Sequence, residues 1–157
     1  MTIDSSRPYI AALDVGGKRI GVALAHRQAA LPSPHSTLIN DEHFWDNLSA
    51  LIEKEQVGEL VVGLPRGLDG QETAQTSSVR VFMDELERRV DLPTHWQDEA
   101  VTSIQAKDEL RQARKEHTGY NPKKGYTLQG GYNKGLVDAQ AAAIILQDYL
   151  NSMEREP

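Results

Sequence analysis

Apolar residues fall in two rhythms along this chain. Tyr9 to Asp14 and Arg19 to Ala25 are short runs of Ile, Val, Leu and Ala on either side of a Gly-Gly turn, which predicts a strand–turn–strand unit. Ile10, Ala12 and Asp14 then share one face of the first strand. In the second strand Ile20, Val22 and Leu24 point one way and Gly21, Ala23 and Ala25 the other, as in the middle of a covered sheet. His35 to Ile39 predicts a third strand and an antiparallel meander.

The period then changes. Phe44, Leu48, Leu51 and Ile52 stand at i, i+4, i+7 and i+8, one stripe of a helix. Asn40 is its expected cap, Asp41 and Glu42 suit the positive end of its dipole, and Gly58 is its expected end. Glu59 to Leu64 is a buried strand reached by a crossover. A second helix is expected from about Thr73 to Val90, with Val79, Phe82, Met83, Leu86 and Val90 inward. Thr94 to Gln97 is a strand ending in Asp98-Glu99, and Thr102 to Gln105 fits a capping box opening a third helix to about Ala113. From Arg114 to Gly135 apolar periodicity is lost; a loop of that length in a compact domain is functional or mobile. Leu136 to Leu150 is the last helix. Three early strands followed by alternating helix and strand give one α/β domain over 1–157, with a mixed five-stranded sheet flanked by helices.

Composition narrows the chemistry. With no cysteine, the chain has neither disulfides nor thiolate metal sites. No apolar run approaches the roughly 18 residues that span a bilayer, and the polar start Met1–Pro8 has no signal core, so a cytoplasmic protein is expected. The net charge of −6 argues against bulk affinity for nucleic acid. Between Arg111 and Lys134, however, six cations (Arg111, Arg114, Lys115, Lys123, Lys124 and Lys134) face the single acid Glu116, a net of +5 that suits a polyanionic partner. A solvated basic loop has the same composition.

Three acidic positions stand out. Asp14 closes the first strand, either as a turn-former or as a functional group at the sheet rim. Asp98-Glu99 closes the last strand. Asp138, expected in the first turn of the final helix, is followed at helical spacing by Ala141, Ala142, Ile145 and Tyr149, which aims its carboxylate inward; the other reading is an N-cap. Three carboxylates at the rim of one sheet suit a hard cation such as Mg²⁺ or Mn²⁺, and a pair of such ions supports in-line phosphoryl displacement. The five histidines show no zinc spacing, and without cysteine or a G-x-S-x-G run, covalent nucleophilic hydrolysis has little support. Gly63 to Gly70 joins a strand to a helix but lacks the G-K-[ST] ending of a phosphate loop; it holds a phosphate through backbone amides or is a structural turn, and Arg66 offers a charge contact.

Four segments in this order resemble the YqgF (RuvX) family: Asp14-Val-Gly-Gly-Lys-Arg-Ile-Gly-Val-Ala23; Val61-Val-Gly-Leu-Pro65 with Asp69-Gly70; Asp98-Glu99 near Thr102-Ser103; and Val137-Asp-Ala-Gln-Ala-Ala-Ala-Ile-Ile-Leu146. The resemblance runs from Tyr9 to Leu150. It implies an RNase H-like fold related to Holliday-junction resolvases, and a nuclease maturing the 5′ end of pre-16S ribosomal RNA in ribosome biogenesis. It also implies a divalent-metal site, of two ions, built from Asp14, Glu99 and Asp138, with Asp98 as the alternative to Glu99. The family's usual Asp-Glu-Arg reads Asp98-Glu99-Ala100 here, so a basic contact beside the site is missing. The basic stretch of about 114–135 matches a mobile loop of the family. Arg66, Arg114, Lys115, Lys123, Lys124 and Lys134 would bind substrate phosphates, while Tyr120, Tyr126 and Tyr132 would stack on unpaired bases.

Three functions compete at this level. A nuclease acts on structured RNA as a monomer or on branched DNA as a homodimer. ATP-dependent phosphotransfer is suggested by the Asp14 hairpin, which is similar to the first phosphate motif of the sugar-kinase and actin superfamily, but those proteins need two lobes. A non-catalytic RNA-binding factor of ribosome biogenesis would keep the fold without the chemistry.

Overall fold

The computed structural model describes residues 6–67, 69–99, 101–116, 120–121, 126–127 and 134–154; for residues 101, 113–116, 120–121, 126–127 and 134–135 it describes the backbone alone. The central sheet has the order β3-β2-β1-β4-β5. Strands β1 (Tyr9–Val15), β2 (Arg19–His26) and β3 (Ser33–Ile39) form the antiparallel meander. Strands β4 (Val57–Leu64) and β5 (Thr94–Asp98) add parallel to β1. The mixed five-stranded α/β architecture expected from the sequence is the one observed.

Alternation along β1 and β2 divides the core in two. Ala11, Leu13, Ile20, Val22 and Leu24 pack with α1 (Phe44–Lys54) and α2 (Ala74–Arg89) on one face. Ile10, Ala12, Ala23 and Ala25 pack on the other face against Ala142, Ile145, Leu146, Tyr149 and Leu150 of α4 (Lys134–Glu154). Small residues dominate that second face, so α4 lies close to the sheet. Beside α4 runs α3 (Val101–Glu116).

Several expected boundaries move. Asn40 does not cap α1: its side chain donates to the carbonyl of Gly16 at 2.9 Å, tying β3 to the β1–β2 turn, and His43 is the capping residue. Asp41 instead closes a turn before the helix, accepting from the His43 amide at 2.9 Å. Gly58 lies inside β4; Gln56, at φ 56°, makes the break after α1. The absent side chain at 58 serves packing, since a Cβ there would stand 2.6 Å from the carbonyl oxygen of Arg7. Thr102 is already inside α3, so its capping box is not formed. The box that does form belongs to α2, where the Thr73 side chain accepts from the Thr76 amide and Thr76 accepts from the Thr73 amide.

The basic stretch is not one uninterrupted loop. Helix α3 runs on to Glu116, and β6 (Tyr120–Asn121) pairs antiparallel with β7 (Tyr126–Thr127). Lys123, Lys124 and Tyr132 lie outside the described residues, as do the side chains of Arg114, Lys115, Lys134, Tyr120 and Tyr126. No described helix is long and apolar enough to cross a membrane.

Candidate active site

Asp14 is not a turn-former. It lies within β1, paired with Gly21 of β2, and the turn is closed by the Gly16 amide donating to the Arg19 carbonyl at 3.0 Å. The Asp14 carboxylate is buried on the α4 side of the sheet, with both oxygens engaged. Lys107 Nζ donates to Oδ1 at 2.8 Å and Arg111 Nη2 to Oδ2 at 3.0 Å. Both cations come from α3, four residues apart and so on one helical face, with buried Ser103 one turn earlier.

The acidic pair after β5 divides. Asp98 is exposed and accepts from Arg66 Nε at 3.2 Å. Glu99 is buried and takes the same ammonium as Asp14, with Lys107 Nζ donating to its Oε1. Burial raises the pKa of the Glu99 carboxyl; the positive charge of Lys107 opposes that rise. Alternation at the strand end explains the division, since neighbouring residues leave on opposite sides.

Asp138 arrives from α4. That helix begins at Lys134, so Asp138 stands in its second turn, too deep for the N-cap reading. Arg19 Nε, from the start of β2, donates to its Oδ2 at 2.9 Å. Its position depends on Gly21: a Cβ at residue 21 would lie 1.9 Å from the carbonyl oxygen of Asp138 and 3.0 Å from the amide of Ala139. Backbone therefore rests on backbone, and Asp138 is seated beside the strand position opposite Asp14.

Asp14 and Asp138 line one open cavity of about 310 Å³ with Gly16, Gly17, Lys18, Arg19, Arg111 and Gln75. Gln75 comes from the first turn of α2, which the loop after β4 presents. That loop is held by its own bonds: the Gly67 amide to the Gln71 carbonyl at 2.8 Å and the Thr76 hydroxyl to the Pro65 carbonyl at 2.5 Å. Arg66 is spent on Asp98, and on Glu72 at 3.9 Å.

A divalent ion fits part of this donor set. Asp14 and Glu99 already grip one cation between them, the Lys107 ammonium, so their oxygens are placed for a positive charge. The three-acid arrangement is not assembled: among the described residues no group of three acidic or histidine side chains is close enough to hold one ion. Sequence reasoning missed Lys107 and the reach of Arg111, and left Arg19 without a role. The signal was the Ser103, Lys107, Arg111 spacing on a helix with few apolar residues.

A five-stranded sheet with its first three strands antiparallel, helices on both faces and acids at the ends of β1 and β5 is the RNase H-like arrangement. The T. thermophilus RuvC solved in complex with a Holliday junction substrate shares the fold, with a TM-score of 0.52 at 9% identity over 94% of this chain and 96% of that one. The chain belongs to the RuvX family, whose model, described as Holliday junction resolvase, matches residues 8–152. Its relatives include proteins named "Putative pre-16S rRNA nuclease". The one from Maridesulfovibrio salexigens is 38% identical over 143 residues, covering 90% of this chain and 96% of its own. The one from Salinibacter ruber is 36% identical over 152 residues, covering 96% and 98%. Membership makes the chain a nuclease, a hydrolase of phosphodiester bonds that takes nucleic acid as its substrate class.

Proposed function

We propose that this protein is a metal-dependent nuclease that trims the 5′ end of pre-16S ribosomal RNA in the cytoplasm. The observation that carries the metal assignment is the pairing of buried Asp14 and buried Glu99 on one cation at the end of the sheet. The RNA assignment is supported by the names of relatives that match nearly the whole chain.

Asp14 and Glu99 would hold the metal, while Asp138, held by Arg19, faces the same cavity as Asp14 from the neighbouring wall. A bound Mg²⁺ or Mn²⁺ supplies an activated water and steadies charge on the phosphate oxygens. The rest falls to the chain's own cations. Arg19, Lys18 and Arg111 line the cavity beside the acids and offset the repulsion between carboxylates and an incoming phosphodiester. Gln75 adds an uncharged donor at the start of α2. At about 310 Å³ the cavity takes a phosphate and its sugar, so most of a folded substrate lies outside it. The basic residues Arg114, Lys115, Lys123, Lys124 and Lys134 supply the charge there, with Tyr120, Tyr126 and Tyr132 as stacking partners.

The family description favours a second substrate, branched DNA. Incubation with Mg²⁺ of a pre-16S leader RNA and a four-way DNA junction, each beside an Asp14→Asn control, decides between them. Cleavage of the leader alone, lost in the variant, is expected. Cleavage of the junction alone assigns the resolvase role, and cleavage of neither leaves a binding factor.

A further inference from the structure

Lys107 is 4% exposed, whereas the two other lysines whose side chains are described, Lys18 and Lys54, are exposed. A buried ammonium is costly unless fully matched by negative charge. Its two partners are the acids assigned above to the metal, Asp14 and Glu99. Among the described residues the ion pairs of the wider cluster balance: three carboxylates, Asp14, Glu99 and Asp138, against three cations, Lys107, Arg111 and Arg19. A divalent ion bridging Asp14 and Glu99 would need the place that Nζ occupies, and would add two charges to a neutral cluster.

Resting on the metal-nuclease reading, we propose that Lys107 is a resident cation. It keeps the acid pair assembled when no divalent ion is bound, and withdraws from between the acids when one binds. Lys107 thereby sets the affinity of the site for metal. The lysine stem suits this, since four flexible methylenes let the charge move without the helix. Arg111 remains on the other oxygen of Asp14 and holds that carboxylate in place. A purely structural lysine predicts the opposite sign, because its loss would let two like charges spread and weaken metal binding.

The test is Mn²⁺ binding followed by electron paramagnetic resonance on the full chain, without nucleic acid, for the unaltered protein and for Lys107→Met, Lys107→Gln and Asp14→Asn. Both neutral Lys107 variants should bind Mn²⁺ at least about tenfold more tightly, since a unit charge a few ångströms away is removed. Their melting temperature without metal should fall and should recover as metal is added. Asp14→Asn should lose the site. If the unaltered protein binds Mn²⁺ through Asp14 and the folded Lys107 variants bind it no more tightly, the resident-cation role is overturned and the metal reading stands. If no Asp14-dependent binding is found in any of them, the metal reading fails and this role with it. Should both Lys107 variants fail to fold, lysine ammonium NMR of the unaltered protein replaces them. A buried, slowly exchanging ammonium signal should disappear as Mg²⁺ is titrated, and its persistence at saturation would overturn the role.

Discussion

Gly21 and Asp138 meet backbone to backbone. A Cβ on residue 21 would lie 1.9 Å from the Asp138 carbonyl oxygen, so α4 can cross β2 at this height only over a glycine. Because Gly21 is the pairing partner of Asp14, the same contact that lets the helix down also sets the second acid beside the first.

Gly21→Ala should therefore damage both stability and chemistry. The methyl group meets backbone rather than a side chain that can turn away, so α4 must lift. An overpacking cost of about 1–3 kcal/mol is expected in urea denaturation. Cleavage should fall by more than the lost folded fraction explains. A variant as stable and as active as the parent would show that the approach of α4 does not set the site.

Arg19 holds Asp138 at 2.9 Å while remaining partly exposed, with 37% of its side chain accessible. Asp138 itself is buried, so Arg19→Gln, which removes the charge but keeps a donor, should cost about 1–3 kcal/mol of stability. Arg19 also lines the cavity and should matter for phosphate. Expected is a rise in KM for a short RNA substrate that shrinks as salt is raised, because the lost contact is electrostatic. A stability loss of that size with unchanged KM would reverse the assignment to phosphate.

The framework of the site was legible in the sequence, and its cations were not. Alternation along β1 put Asp14 on the face of Ile10 and Ala12, and the stripe Ala141, Ala142, Ile145 turned Asp138 toward the sheet; both stand there in the structure. Period alone gives those results, since apolar neighbours define the face. Lys107 escaped because a lysine on a polar helix reads as solvated, and only the fold, which sets α3 beside α4 and brings Lys107 between Asp14 and Glu99, buries it. Boundaries failed where a side chain found a distant partner: Asn40 looked like a cap but bonds Gly16, 24 positions away in the chain. The choice between Asp98 and Glu99 rested on which of the two adjacent side chains leaves the strand inward.

A buried carboxylate away from the site, Glu59, tests whether α4 is anchored independently at its other end. Glu59 of β4 accepts from the Tyr149 hydroxyl at 2.5 Å and from Arg27 at 3.2 Å, with His95 at 3.3 Å. Tyr149→Phe removes one donor from a buried acceptor and should cost about 1–3 kcal/mol in denaturation. The Glu59 position pairs with Ile10, four residues before Asp14, so cleavage by the folded protein should be unchanged. Loss of activity without loss of stability would mean that the two ends of α4 are coupled.

Glu99 gives stability a definite pH dependence. Burial raises its folded-state pKa above the ordinary glutamate value, so between the two values the folded protein holds a proton that the unfolded chain has released. Its contribution to stability is therefore fullest below the ordinary value and declines as pH rises to the raised one. Glu99→Gln carries no such proton. Measured by urea denaturation in the presence of chelator, the stability of Glu99→Gln minus that of the parent should climb through this window and level off above it. A flat difference would mean that Lys107 fully offsets the burial of Glu99. A falling difference would mean that its attraction outweighs burial and that the carboxylate is held below its ordinary pKa.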